Sequence, residues 1–185
     1  MKLEHVISRF RLSPLSASRC VTQGVESAVL VPLIDIDNGA HILLCKRHAK
    51  LRSHPSQICF PGGKVEHGDH SAVDTALRET FEEINLSRSH ISALGQLPIH
   101  STLSGFHITP IVARVQKYAT WEHQSNEVDS VFTIPLSALM DPYQWQSYPC
   151  RYRGKPININ GFMTSHGLLW GATASIIKKL TSTLS

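Results

Sequence analysis

Two stretches decide how this chain is read: Phe60-Pro61-Gly62-Gly63-Lys64-Val65-Glu66, and a short loop later Ala72-Val73-Asp74-Thr75-Ala76-Leu77-Arg78-Glu79-Thr80-Phe81-Glu82-Glu83-Ile84-Asn85. The first leaves a strand for a double glycine, where the backbone takes positive φ readily and approaches a ligand closely. The second has helical spacing. Val73, Ala76, Leu77, Thr80, Phe81 and Ile84 gather on one side of a helix of 3.6 residues per turn, and Glu79, Glu82 and Glu83 on the other. Asp69 or Ser71 serves as N-cap, which places the helix over about Ser71 to Ile84, and Asn85 suits the left-handed closing position. Carboxylates at i, i+3 and i+4 repel one another. A solvated face would pair Glu82 with Arg78 for roughly a few tenths of a kcal/mol. A hard divalent cation would remove the repulsion: Mg²⁺ takes carboxylate oxygens, keeps several waters and completes its shell with substrate phosphate.

Around this centre, Ser27 to Ile34 reads as a largely buried strand, Asp37-Asn38-Gly39 supplies turn chemistry placed at Asn38-Gly39, and His41 to Lys46 is the antiparallel partner. Further strands are expected at Gln57 to Phe60, Ile91 to Leu97, Phe106 to Val115 and Ser130 to Ile134. A second helix starts after Gly167 and carries Trp170, Ala174 and Ile177, ending near Lys178 and Lys179. Strands interleaved with two helices, one pair joined by a hairpin, predict an α/β fold layered helix, mixed sheet, helix.

The chain has 185 residues, enough for one domain with a real core, taken as about residues 27–180 behind an N-terminal extension, 1–23, of a short helix and an irregular segment. Apolar residues make up 42% and charged residues 17%, a globular composition with no run long enough for a membrane helix. No secretory apolar region builds up after Met1, and Cys20, Cys45, Cys59 and Cys150 include no C-x-x-C pair, so the cytoplasm is the expected compartment. A net charge of +4 is weak evidence of an anionic partner. Its distribution is stronger: Lys46, Arg47, Lys50 and Arg52 precede the loop and the glutamates follow it, which suits a phosphate ligand held through metal.

Loop and helix together resemble the Nudix box, with Gly63, Arg78, Glu79, Phe81, Glu82, Glu83 and Leu86 as the matching positions. Asp69 stands where the box has its first Glu, one extra residue lies between Asp69 and Arg78, and Asn85 replaces the final Gly; helix capping is the role read for Asp69. Upstream, Leu43 to Gly63 is similar to the signature of the coenzyme A pyrophosphatase branch, with Arg47, Arg52 and Phe60 to Gly63 in register and Cys45, His48 and Ser56 in place of its Thr, Ser/Ala and Gly. The likeness continues through Asn126-Glu127-Val128, Val131 to Leu136, and Trp170-Gly171-Ala172-Thr173-Ala174.

The resemblance implies a Nudix sandwich and metal-dependent hydrolysis of a small-molecule diphosphate, without nucleic acid or membrane. Mg²⁺ or Mn²⁺ would be held by Glu79, Glu82 and Glu83. Glu79 or Glu127 would be the base, and Arg78 would orient Glu82 and the glycine loop. Arg47, Arg52, Gly62 and Gly63 would bind substrate, an arginine fork matching phosphate oxygens in a way lysine does not. The implied substrate is coenzyme A or a derivative. A hydrolase of ADP-ribose or an oxidised nucleotide is a second reading, and an inactive RNA-binding module a third; the complete acidic face and the lack of interleaved aromatic and basic residues argue against the last. Of the eleven histidines only His54 and His166 stand out. Trp121, Trp145 and Trp170 are the rings able to stack a base, with Trp170 read as core.

Overall fold

The computed structural model describes residues 1–13, 24–122, 126–152 and 154–184; Cys20 and His123 lie outside them. Four helices, α1 (Leu3–Leu12), α2 (Ala72–Ile84), α3 (Leu136–Met140) and α4 (Gly171–Leu184), accompany eleven strands. The strands are β1 (Val25–Ile36), β2 (Gly39–Arg47), β3 (Ile58–Cys59), β4 (Gly62–Lys64), β5 (Ile91–Gln96), β6 (His100–Ser101), β7 (Phe106–Val115), β8 (Val128–Pro135), β9 (Trp145–Tyr152), β10 (Lys155–Thr164) and β11 (Gly167–Leu169). The main sheet runs β3-β2-β1-β7-β5, with β4 on β1, β6 on β7 and β8 on β2. Among the described residues only β1 and β7 pair in parallel, so the sheet is mixed as expected.

α2 covers one face. Ala76 and Leu77 pack on Ala28 and Leu30 of β1 and on Ile111 and Ala113 of β7, each large aliphatic side chain contributing roughly 1.5–3 kcal/mol by leaving water. α1, α3 and α4 cover the other face around Val31, Leu33, Ile42, Leu44 and Val112. This is the α/β helix, mixed sheet, helix sandwich. Leu3, Val6, Ile7 and Phe10 of α1 share that core with Leu180 and Leu184 of α4. The apolar stripe of α1 needed a partner, and the open sheet face provides it. Among the described residues no helix is long and apolar enough to cross a membrane.

Several local expectations shift. Asp37 and Asn38, not Asn38-Gly39, form the β1–β2 turn: both have positive φ (49° and 60°) and Ile36 pairs with Gly39, as a two-residue hairpin of mirror-image type requires. Trp170 precedes α4 instead of lying on it, because residues 167–169 are taken into β11. β9 and β10 form a long ribbon, paired from Phe162–Trp145 to Lys155–Tyr152. At its base the Trp145 indole N–H donates to Leu139 O at 2.9 Å, the ring meets Phe162 edge-on, and Lys178 Nζ sits 4.9 Å above it. That indole is occupied by the fold.

On α2, Ser71 is the N-cap, its hydroxyl accepting from Asp74 N at 3.1 Å, and Asn85 closes the helix at φ 52°, its N–H donating to Phe81 O at 2.8 Å. Two side chains depart from the expected faces. Phe81 is 53% exposed, whereas Thr80 is fully buried and donates its hydroxyl to Ala76 O at 2.6 Å. Counted from Arg78-Glu79, the apolar position of the box therefore falls on Thr80 and not on Phe81. Glu83, placed on the polar side by periodicity, is only 6% exposed.

Candidate active site

The glycine loop is held by its neighbours. Phe60 is buried in the core, and Pro61 O accepts from Leu30 N at 2.9 Å. Gly62, at φ 156°, lies against β1 so closely that a Cβ would fall 2.4 Å from Ala28 O. A Cβ on Gly63 would fall 2.1 Å from Glu79 Oε1. The double glycine thus lets the backbone pass between β1 and the Glu79 carboxylate.

Burial of Glu83 follows from that passage, since β4 folds over the helix where an isolated amphipathic helix would face water. Gly62 N–H donates to Glu83 Oε2 at 3.1 Å. Burial pushes the Glu83 carboxyl up to about 7; Glu79 and Glu127 push the same way, against the Gly62 N–H and Arg47. Glu79, with 17% of its side chain exposed, is raised chiefly by burial and is opposed by Arg78. Glu82 stands 56% exposed on the rim.

Arg78 ties the helix to its preceding loop. Its Nε and Nη2 meet the Asp69 carboxylate at 3.0 and 2.9 Å, Nη1 reaches Glu79 at 3.1 Å and Glu82 at 3.3 Å, and Nη2 also donates to Lys64 O at 3.1 Å. The guanidinium is raised above its ordinary value, first by the Asp69 bonds. Asp69 does not cap the helix. It accepts from Glu66 N and Thr75 Oγ1 and is held well below the usual carboxylate range, first by Arg78. Sequence reasoning missed the Asp69–Arg78 pair. The signal was Asp69 at the box's first acidic position, obscured by the extra residue.

On the opposite wall, Arg47 Nη2 lies 3.6 Å from Glu127 Oε2, and His48 N donates to Glu127 O at 2.7 Å. Cys59 stands directly across from Cys45 on β2, an arrangement nothing in the sequence pattern announced. Burial pushes the Cys59 thiol up to about 12. Arg52 is exposed on the β2–β3 loop, where His54 and Ser56 both have positive φ (56° and 57°). Of the two noted histidines, His54 Nδ1 pairs with Gln57 Oε1 at 2.9 Å, and His166 stacks on Phe132 with ring centroids 3.9 Å apart.

Glu79, Glu82, Glu83 and Glu127 therefore flank one glycine loop, with Arg78 on one side and Arg47 on the other. The donor set is all hard oxygen, and the two most buried carboxylates resist ionisation without a counter-charge, which fits Mg²⁺ or Mn²⁺. Among the described residues no three His, Cys, Asp or Glu side chains are gathered so as to hold a metal ion between them.

The NUDIX domain family matches residues 25–151. A relative from Enterobacter sp. (strain 638), named "Uncharacterized Nudix hydrolase NudL", is 33% identical over 180 residues, 97% of this chain and 93% of its own length. A relative of the same name from Salmonella dublin is 30% identical over the same shares. Among solved structures, an Ap4A hydrolase binary complex from C. elegans superposes with a TM-score of 0.52 at 20% identity, covering 63% of this chain and 83% of that one. A NUDIX hydrolase from Alicyclobacillus acidocaldarius reaches 0.55 at 15% identity, covering 88% and 93%. With the box, its acidic face and this fold in agreement, the chain belongs to the Nudix hydrolase family.

Proposed function

We propose that this Nudix hydrolase splits the pyrophosphate bond of coenzyme A or a derivative into 3′,5′-ADP and 4′-phosphopantetheine, or its acylated form. One observation carries the reading: the arginine-bearing segment Leu43 to Gln57 feeds directly into the glycine loop that Glu79 and Glu83 clasp. A divalent cation held by Glu79, Glu82 and Glu83 would spread the phosphate charge and acidify water. The chain does the rest. Gly62 and Gly63 let the diphosphate approach the backbone, and Arg52, exposed and without an ion pair among the described residues, grips a phosphate. Glu127 or Glu79 takes the proton of the attacking water, with Glu127 the more open to solvent at 57% exposure. Arg78 keeps Glu79 and Glu82 aimed while also bonded to Asp69 and Lys64 O, so it orients and does not touch substrate.

The test is incubation with Mg²⁺ or Mn²⁺ and a mixture of coenzyme A, ADP-ribose and nucleoside triphosphates, with products identified by mass. 3′,5′-ADP with 4′-phosphopantetheine is the expected pair; release of inorganic phosphate or pyrophosphate from coenzyme A, or preference for ADP-ribose, rejects the substrate.

A further inference from the structure

Arg47 is the last residue of β2, and its backbone N–H donates to Gln57 O at 2.9 Å. A bulge between Lys46 and Arg47 sets Arg47 opposite Val128, the residue after Glu127. With His48 N bonded to Glu127 O at 2.7 Å, the end of β2 and the backbone of Glu127 are fastened together. The side chains repeat the link: Arg47 Nη2 points to Glu127 Oε2 at 3.6 Å. Arg47 Nε is buried with no hydrogen-bond partner among the described residues. The arginine side chain is 23% exposed and the carboxylate 57%, so the cation sits behind and the anion in front.

We propose that Arg47 is a positioning residue that holds the Glu127 carboxylate beside Glu83 and acts on turnover through Glu127. A phosphate fork presents its donors outward. This one directs a donor to an acidic side chain of the site, with another turned inward. The proposal rests on the reading that Glu127 serves the hydrolysis, and it moves Arg47 from the phosphate-binding role that the arginine signature suggested, leaving that role to Arg52.

The deciding experiment is a double-mutant cycle of Arg47→Ala and Glu127→Gln, in the full chain with Mn²⁺, on whichever diphosphate of the mixture the wild type splits fastest. Arg47→Ala alone should lower kcat at least ~10-fold with KM changed less than ~3-fold, since an interaction confined to the transition state acts on kcat. In the Glu127→Gln background the same change should lower kcat less than ~2-fold, because its route of action is already gone. Arg47→Lys, which keeps a cation behind Glu127, should recover part of the loss. Losses that multiply, a loss carried by KM, or a Glu127→Gln variant with wild-type kcat would each overturn the proposal. A fold damaged by Arg47→Ala would be damaged in both backgrounds and so would also register as multiplying losses. If ADP-ribose is split and coenzyme A left intact, the substrate reading fails while the cycle still decides on Arg47.

Discussion

At the scale of single residues, Glu83 carries the most consequence. Glu83→Gln keeps the volume and removes a hard anion, so kcat should fall at least ~10²-fold, the scale of losing an electrostatic stabiliser; turnover within a few-fold of wild type would detach the acidic face from the reaction. The same residue sets a pH dependence. An unfolded Glu ionises near pH ~4.3, whereas Glu83 in the metal-free fold ionises at about 7. Between those values the folded state binds more protons, so metal-free stability falls as pH rises from about 4 to about 7 and stays low above that. Thermal melts should show this slope in wild type and a flatter one in Glu83→Gln; equal slopes would contradict it. Mg²⁺ adds RT ln(1+[L]/Kd), about 1.4 kcal/mol at ten times Kd, and this gain should grow with pH and shrink in the variant. Ser56 offers a second test. It holds φ 57° where the coenzyme A signature has Gly, a left-handed conformation that costs a side chain roughly 1 kcal/mol. Ser56→Gly should raise the melting temperature slightly, and a loss would mean the hydroxyl serves the loop.

Elements show where pattern reading succeeds and where it stops. β7 runs over Phe106–Val115, the residues expected, because its apolar run is bounded by Gly105 and by polar Gln116, and α2 stops at Asn85, whose left-handed preference is local. The face of α2 was less legible. A helical wheel divides polar from apolar but does not know that β4 will fold over Glu83, or that nothing will cover Phe81. The difference is measurable. Leu77→Ala should cost roughly 2–5 kcal/mol from a well-packed site, whereas Phe81→Ala, at a half-exposed one, should cost well under half of that in the same denaturant titration. Equal costs would place Phe81 in the core after all. The β9–β10 ribbon escaped notice because Pro149 and Pro156 stand within its strands, where proline cannot donate to the ladder and argues against a strand. Of the acidic wall, the three α2 glutamates were legible by spacing. The Arg47–Glu127 pair was not, since it depends on a bulge between two strands far apart in sequence.

For the whole molecule, α1 is a wall of the core. Phe10 is 1% exposed, Arg9 Nη1 donates to Leu184 O, and Ser13 Oγ donates to Thr183 O at 2.6 Å, joining the first helix to the last. Phe10→Ala should therefore cost about 3–5 kcal/mol of unfolding free energy, as for a truncated core aromatic, with the active-site geometry left intact; a neutral result would make the helix an appendage. The parallel pairing of β1 with β7 bears on how the molecule forms. Ser27 lies beside Ile108, so the central joint of the sheet closes a loop of about eighty residues, and such non-local contacts slow folding through the entropy lost before they form. The β1–β2 hairpin, by contrast, zips through two residues. The glycine loop is stitched to β1, and the glutamates that clasp it lie on a helix packed against both β1 and β7. Hydrolytic competence during refolding should then emerge with the slowest kinetic phase, after most of the hairpin signal has been recovered.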